Sequence, residues 1–133
     1  DNDYTKEEMK MVWETRKIFA DDNILVNPTA VRVPVFFGHA EAIHIETHQA
    51  SDAQEIKALL SNAPGVELYE EREKFPTQVS SASGNDSVHV GRIRNDISHP
   101  NGLDLWVVSD NVRKGAALNS VQIAEELMKL WAK

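Results

Sequence analysis

Val88-His-Val-Gly-Arg-Ile-Arg-Asn-Asp-Ile-Ser-His-Pro-Asn-Gly-Leu-Asp-Leu-Trp-Val-Val-Ser109 reads as two strands and the turn between them. Val88, Val90 and Ile93 mark the first strand. Their spacing slips out of strict alternation, so a bulge is expected near Gly91. Asn101-Gly102 is a turn signal, and Leu103 to Ser109 supplies a hairpin partner. A hairpin is antiparallel by construction, which sets the character of the sheet around it.

Working upstream, the polar stretch Glu70 to Ser87, with Pro76 and Ser80-Ser81-Ala82-Ser83-Gly84, reads as a long loop. Before it come a short strand, Val66 to Tyr69, and a short helix carrying Ile56, Leu59 and Leu60. That helix is capped by Ser51 or Asp52 and ended by Pro64-Gly65. Ile43 and Ile45 mark another strand, with Ala42, His44 and Glu46 facing the other way. Thr29-Ala-Val-Arg-Val-Pro-Val-Phe36 reads as a further strand with Val31, Val33 and Val35 on one face. Pro34 lacks a ladder donor and puts that strand at an edge or bends it. Thr5 and Glu8 form a capping box for a helix from about Lys6 to Phe19, with Met9, Val12, Trp13 and Phe19 at helical spacing. Asp21-Asp22-Asn23 ends it. Downstream, Asn111 to Lys133 reads as a long helix with Ala116, Ile123, Leu127, Leu130 and Trp131 on its inner side. The order is helix, two strands, helix, three strands, helix. Three strand connections are too short for helical crossovers, so the expected fold is one α+β domain with a mixed or antiparallel sheet covered by helices.

At 133 residues, 41% hydrophobic and 26% charged, the chain can build its own core. A net charge of -7 argues against nucleic acid as a main partner. No apolar run approaches the roughly 20 residues that cross a bilayer, and a cytoplasmic setting is expected. There is no cysteine, which excludes disulfides, thiolate metal sites and thiol catalysis by this polypeptide alone. None of the six glycines falls into a dinucleotide or phosphate cradle.

Few residues stand out as chemical candidates. Glu7 and Lys10 share a helix face, which is the ordinary pattern of a solvated pair. Arg32 interrupts a run of valines, so its guanidinium is either exposed on an open sheet face or reserved for an anion. His39 follows Gly38. A lone histidine is commonly structural, yet the side chain exchanges protons near neutral pH. On a straight strand Arg32 and His39 would lie roughly 23 Å apart on opposite faces, so joint service at one site needs a sharp turn around Phe36-Phe37-Gly38. His44, His48, His89 and His99 lack metal-ligand spacing and are expected at the surface, with no metal bound.

Three segments resemble the bacterial aspartate-semialdehyde dehydrogenases. They are Thr5-Lys-Glu-Glu-Met-Lys-Met-Val-Trp-Glu-Thr-Arg-Lys-Ile, Thr29-Ala-Val-Arg-Val-Pro-Val-Phe-Phe-Gly-His-Ala-Glu, and Asp110-Asn-Val-Arg-Lys-Gly-Ala-Ala-Leu-Asn-Ser-Val-Gln-Ile-Ala-Glu. They keep the family's order and spacing over almost the whole chain. The resemblance implies a fold like the C-terminal domain of glyceraldehyde-3-phosphate dehydrogenase-like enzymes. Residues 1–133 would be a substrate-binding and dimerisation domain, and the final helix, about 111–133, would pack on an N-terminal NADP-binding domain that this sequence lacks.

The family reduces L-aspartyl-4-phosphate with NADPH to L-aspartate 4-semialdehyde and phosphate, on the way to lysine, methionine and threonine. A cysteine thiolate attacks the acyl phosphate, and hydride transfer then resolves the thioester. The resemblance places His39 on the acid/base histidine and Arg32 on the arginine that clamps the substrate carboxylate. It places Glu7 on the acceptor of the substrate amino group, Lys10 on a phosphate-binding residue, and Asn119 on the nicotinamide side of NADP. A polar residue in a long helix such as Asn119 equally needs no cofactor to explain it. The implied partners are the small substrate, phosphate and a second copy of the chain in a homodimer.

Two departures from the family pattern matter. Ala30 stands where the family usually has a non-nucleophilic cysteine, and the nucleotide-binding region and catalytic cysteine are not in this sequence, so the chain alone is expected to be inactive. Two alternatives compete. N-acetyl-gamma-glutamyl-phosphate reductase shares the thiol chemistry, but its acylated substrate has no need of an ammonium acceptor such as Glu7. A non-catalytic dimerisation or ligand-binding module would have no need of Glu7, Lys10, Arg32 and His39 together.

Overall fold

The computed structural model describes residues 2–71 and 73–132. The chain divides into two compact units, Asp1–Pro34 and Val35–Lys133.

The first unit is built on helix α1, Lys6–Phe19. Its start is the expected capping box. The Thr5 hydroxyl accepts from the Glu8 amide (3.2 Å), and the Glu8 carboxylate accepts from the Thr5 amide (2.8 Å). Glu7 and Glu8 in the first turn and Arg16 and Lys17 in the last complement the helix dipole. Ala20 closes the helix in the left-handed conformation. Val12 is buried, but Trp13 and Phe19 are exposed, so only part of the apolar stripe finds cover. Beyond the helix, residues 21–34 contain no strand. The strand expected over Thr29–Phe36 is therefore absent. Pro28 and Pro34 carry no amide hydrogen, and the Ala30 amide donates to Glu8 Oε1 (2.9 Å) instead of to a neighbouring strand. A Val-x-Val-x-Val pattern makes a strand only where a partner edge accepts it.

The second unit contains a four-stranded sheet of β1 (His39–Glu46), β2 (Val66–Tyr69), β3 (Val88–Asn95) and β4 (Gly102–Ser109), in spatial order β1-β4-β3-β2. β3 and β4 form the expected hairpin, with the register shift falling between Gly91 and Arg94. β1 runs antiparallel to β4, and β2 runs parallel to β3. The sheet is mixed, as expected. The parallel pair is possible because Glu70 to Ser87 is long enough to carry the chain back along the sheet. That segment is not wholly irregular, since Gln78–Ala82 forms one wide π-helical turn.

Helix α2, Ala53–Ser61, covers one face of the sheet. Ala53, Val90, Ile93 and Leu103 are buried together there, ringed by Ile56, Leu60, Val66, Leu68, Leu105 and Val107. Asp52 is the N-cap but makes no capping bond. Asn95 substitutes for it by accepting from the Ala53 amide (2.7 Å). The opposite face is covered in part by the segment between β2 and β3. Trp106 Nε1 donates to the Pro76 carbonyl (2.8 Å), and Pro76, Ala82 and Val108 are buried. Gly91 permits this close approach, because a Cβ there would stand 3.0 Å from Pro76 Cδ.

Helix α3, Leu118–Trp131, follows a second wide turn at Arg113–Ala117. None of its residues is buried, and Ile123, Leu127, Leu130 and Trp131, expected on an inner side, are all exposed. The helical spacing holds, but no element among the described residues covers that face. No helix among the described residues is long and apolar enough to cross a membrane.

Candidate functional site

The first unit brings Glu7 and Arg32 together. Glu7 lies in the first turn of α1, and its Oε2 is 3.6 Å from an Arg32 guanidinium nitrogen. Arg32 thus sits on an extended segment, not on a strand. What fixes that segment is Glu8, whose two carboxylate oxygens bind different parts of the chain. One accepts from the Thr5 amide and hydroxyl, the other from the Ala30 amide two residues before Arg32. The Ala30 amide first, and then Thr5, hold the Glu8 carboxyl below its ordinary range. This tie therefore stabilises the fold at neutral pH and is lost as the pH falls and the carboxyl is protonated.

The Glu7–Arg32 pair has a different character. Its side chains are 62% and 93% exposed, and water screens such a pair so well that it contributes little to stability. It is instead a place where an anion acceptor and a cation acceptor stand side by side. Lys10, one turn further along α1, presents a second cation. Glu7 pairs with Arg32 rather than with Lys10, which replaces the solvated helix pair expected from spacing.

In the second unit His39 is the first residue of β1, not the end of an earlier strand, and it is exposed. Opposite it in the ladder is Ser109. Gly38 has φ +95°, and its amide donates to Asn111 Oδ1 (2.7 Å). Asn111 belongs to a turn built by Asp110, a buried carboxylate that accepts from the Gly84, Val112 and Arg113 amides at 2.9, 2.8 and 3.1 Å. The Gly84 amide, followed by the Arg113 amide, keeps that carboxyl below its usual range. Asn119 lies exposed in the first turn of α3.

Among the other histidines, His89 departs from the surface expectation. His89 is buried, with its Nδ1 3.4 Å from the Tyr69 hydroxyl and 3.4 Å from Glu67. It alternates with Val88 and Val90 on β3, and the covering segment around Pro76 encloses the face on which it lies. His44 is exposed but clasped by carboxylates. Asp104 lies 3.2 Å from Nδ1, while Glu46 and Asp96 lie 3.4 and 3.7 Å from Nε2. The hydrogen bond to Asp104, and then that to Glu46, raise its affinity for a proton. The resulting clasp between β1 and β4 is strongest below the ordinary histidine pKa and fades as the pH rises past the raised one. His48 is exposed, as expected, and His99 is half-buried in the hairpin turn. No group of three or more metal-binding side chains occurs among the described residues.

The sequence did not single out Glu8 beyond its cap, nor Asp110 and Asn111 as anything but the entrance to a helix. The signal for the last two was local. Asp-Asn before Val-Arg-Lys-Gly is a side-chain-to-backbone turn pattern.

The second unit, a mixed four-stranded sheet with helix cover on one face, has an α+β architecture. The chain belongs to the semialdehyde dehydrogenase dimerisation-domain family, whose description matches residues 1–114. It is 68% identical over 129 residues to an aspartate-semialdehyde dehydrogenase from a Shewanella species, covering 97% of this chain and 38% of that protein. The aspartate-semialdehyde dehydrogenase of Aquifex aeolicus is 52% identical, with 95% and 37% covered. Among solved structures, aspartate semialdehyde dehydrogenase II of Vibrio cholerae complexed with ASA superposes with a TM-score of 0.94 at 63% identity, covering 97% of this chain and 38% of that one. The chain therefore spans well under half the length of the relatives it matches.

Proposed function

We propose that this chain is the substrate-binding and dimerisation part of an NADPH-dependent aspartate-semialdehyde dehydrogenase, which converts L-aspartyl-4-phosphate to L-aspartate 4-semialdehyde and phosphate. The observation that carries the reading is the exposed Glu7–Arg32 pair at 3.6 Å. An amino acid with free α-amino and α-carboxylate groups exchanges with such a pair one charge at a time. Arg32 turns its planar fork to the carboxylate, Glu7 takes the ammonium, and no charge is left unpaired. Lys10 binds the phosphate. His39 accepts the proton of the family's thiol and returns a proton later in the cycle.

The nucleotide is another matter. Among the described residues there is no phosphate cradle, and Asn119 offers a single amide on an exposed helix. NADPH supplies hydride when bound, but these residues do not by themselves hold it, and Asn119 contributes at most one contact on the nicotinamide side. The exposed apolar residues Ile123, Leu127, Leu130 and Trp131 of α3 suit packing against the nucleotide-binding remainder of the enzyme, since a contiguous apolar stripe is rarely left in water. Two copies joined through this domain complete the assembly.

The charge on Glu7 separates this reading from that of a reductase acting on an N-acylated substrate. In the intact protein, Glu7→Gln removes the ammonium's counter-charge, an interaction of about 1.5–3 kcal/mol. KM for L-aspartate 4-semialdehyde rises roughly 10- to 100-fold. Steady-state kinetics check this, and an unchanged KM would sink the assignment.

A further inference from the structure

We propose that Asn111 is a positioning residue for His39, acting through the main chain of Gly38. The proposal rests on the proton-transfer role given to His39 above. Among the described residues no hydrogen bond holds the His39 imidazole, so its placement depends on the backbone from which it springs. That backbone is fixed on both sides. Behind it, β1 pairs residue by residue with β4, with His39 opposite Ser109. Ahead of it, Asn111 Oδ1 accepts from the Gly38 amide at 2.7 Å.

The Gly38 conformation is demanding in its own right. Its φ of +95° lies in the region that favours glycine. A Cβ there would stand 3.0 Å from Gln78 Cβ and 3.3 Å from the Ser109 carbonyl. The chain thus passes through a narrow slot between the wide turn at Gln78 and the end of β4, and one hydrogen bond decides where within that slot it turns. Asn111 can hold it because Asp110 is itself immobilised by three backbone amides, one of them from Gly84 in the segment that covers the sheet. A rigid turn presents a carbonyl, the carbonyl fixes a glycine, and the glycine aims a histidine. A general base has to reach its proton within hydrogen-bond distance, and misplacement by about 1 Å can lower the rate 100-fold.

The side chain needed is one that accepts a hydrogen bond at this reach and need not donate, so aspartate can replace asparagine where leucine cannot. In the intact protein, Asn111→Leu lowers kcat roughly 10- to 100-fold, while KM for L-aspartate 4-semialdehyde stays within about threefold because Glu7 and Arg32 are untouched. Asn111→Asp restores most of kcat. If Asn111→Leu fails to fold, as judged by its thermal transition, Asn111→Ser is read in its place, since serine is too short to reach the amide. An unchanged kcat, parallel losses in kcat and KM, or an Asn111→Asp variant as poor as the leucine variant would each overturn the proposal. His39→Asn, assayed alongside, separates the two levels. If it keeps full activity, the role of His39 itself is wrong. If it is inactive while Asn111→Leu retains kcat, only the positioning is wrong.

Discussion

His39→Asn in the intact protein is expected to lower kcat by about 10²- to 10⁴-fold, the usual share of a positioned general acid–base group. Asparagine keeps the size of the side chain near that of the imidazole and retains a polar tip, but cannot take or give a proton near neutral pH. The residue is exposed and heads an edge strand whose ladder is made by main-chain groups, so the substitution leaves the fold intact. KM for the semialdehyde is expected to change little, because the groups assigned to its charges are elsewhere. Single-turnover and steady-state rates on the same preparation check both halves of this expectation. A variant whose thermal transition matched the parent's, with kcat reduced less than tenfold, would remove His39 from the chemistry.

Arg32→Leu gives the second large effect, and on a different parameter. The guanidinium is 93% exposed and its ion pair with Glu7 is loose, so deleting it costs the fold almost nothing. What is lost is the fork that receives a carboxylate through two charge-assisted bonds. At about 1.5–3 kcal/mol for each bond to a charged group, kcat/KM falls by at least roughly 100-fold. Arg32→Lys recovers only part, since a lysine offers a point charge without the planar fork. A calorimetric measurement of binding by a non-reacting zwitterionic analogue isolates this loss from any effect on chemistry. Equal affinity of parent and Arg32→Leu protein would place the carboxylate elsewhere.

Much of the fold was legible where the determinants are local. The Thr5–Glu8 capping box, the Asn101-Gly102 turn and the slip in spacing around Gly91 each depend on a few neighbouring residues, and each formed as expected. Thr29–Phe36 forms no strand despite its alternation, because alternation records which residues prefer a pleated surface and says nothing about whether an edge is available. The two prolines and the claim of Glu8 on the Ala30 amide decided the matter, and that second contact spans the chain from helix to loop. α3 shows the same limit in another form. Its apolar periodicity is real, yet periodicity does not name the surface that will cover it. His89 was expected at the surface for want of metal-ligand spacing, and the path of the Pro76 segment, which leaves no mark in that spacing, buried the face it occupies.

The site divides in the same way. Arg32, Glu7, Lys10 and His39 stood out in the sequence through resemblance to the family, and the structure adds that Glu7 and Arg32 lie 3.6 Å apart. The supporting residues did not stand out, because Glu8, Asp110 and Asn111 act by holding backbone amides, and a backbone partner distant in sequence leaves no mark in composition or spacing. Ala30 stands where the family usually has cysteine, and its contact here is made by its amide, which any residue other than proline supplies.

Service in a thiol-dependent dehydrogenase of aspartate semialdehyde, as proposed for this domain, has a direct assay. The most direct test follows NADPH absorbance with the intact protein in the reverse direction, using L-aspartate 4-semialdehyde, NADP and inorganic phosphate. NADPH formation that requires phosphate and saturates with it is the expected result. The absence of turnover with that aldehyde, alongside phosphate-dependent turnover of an N-acylated glutamate semialdehyde, would contradict it.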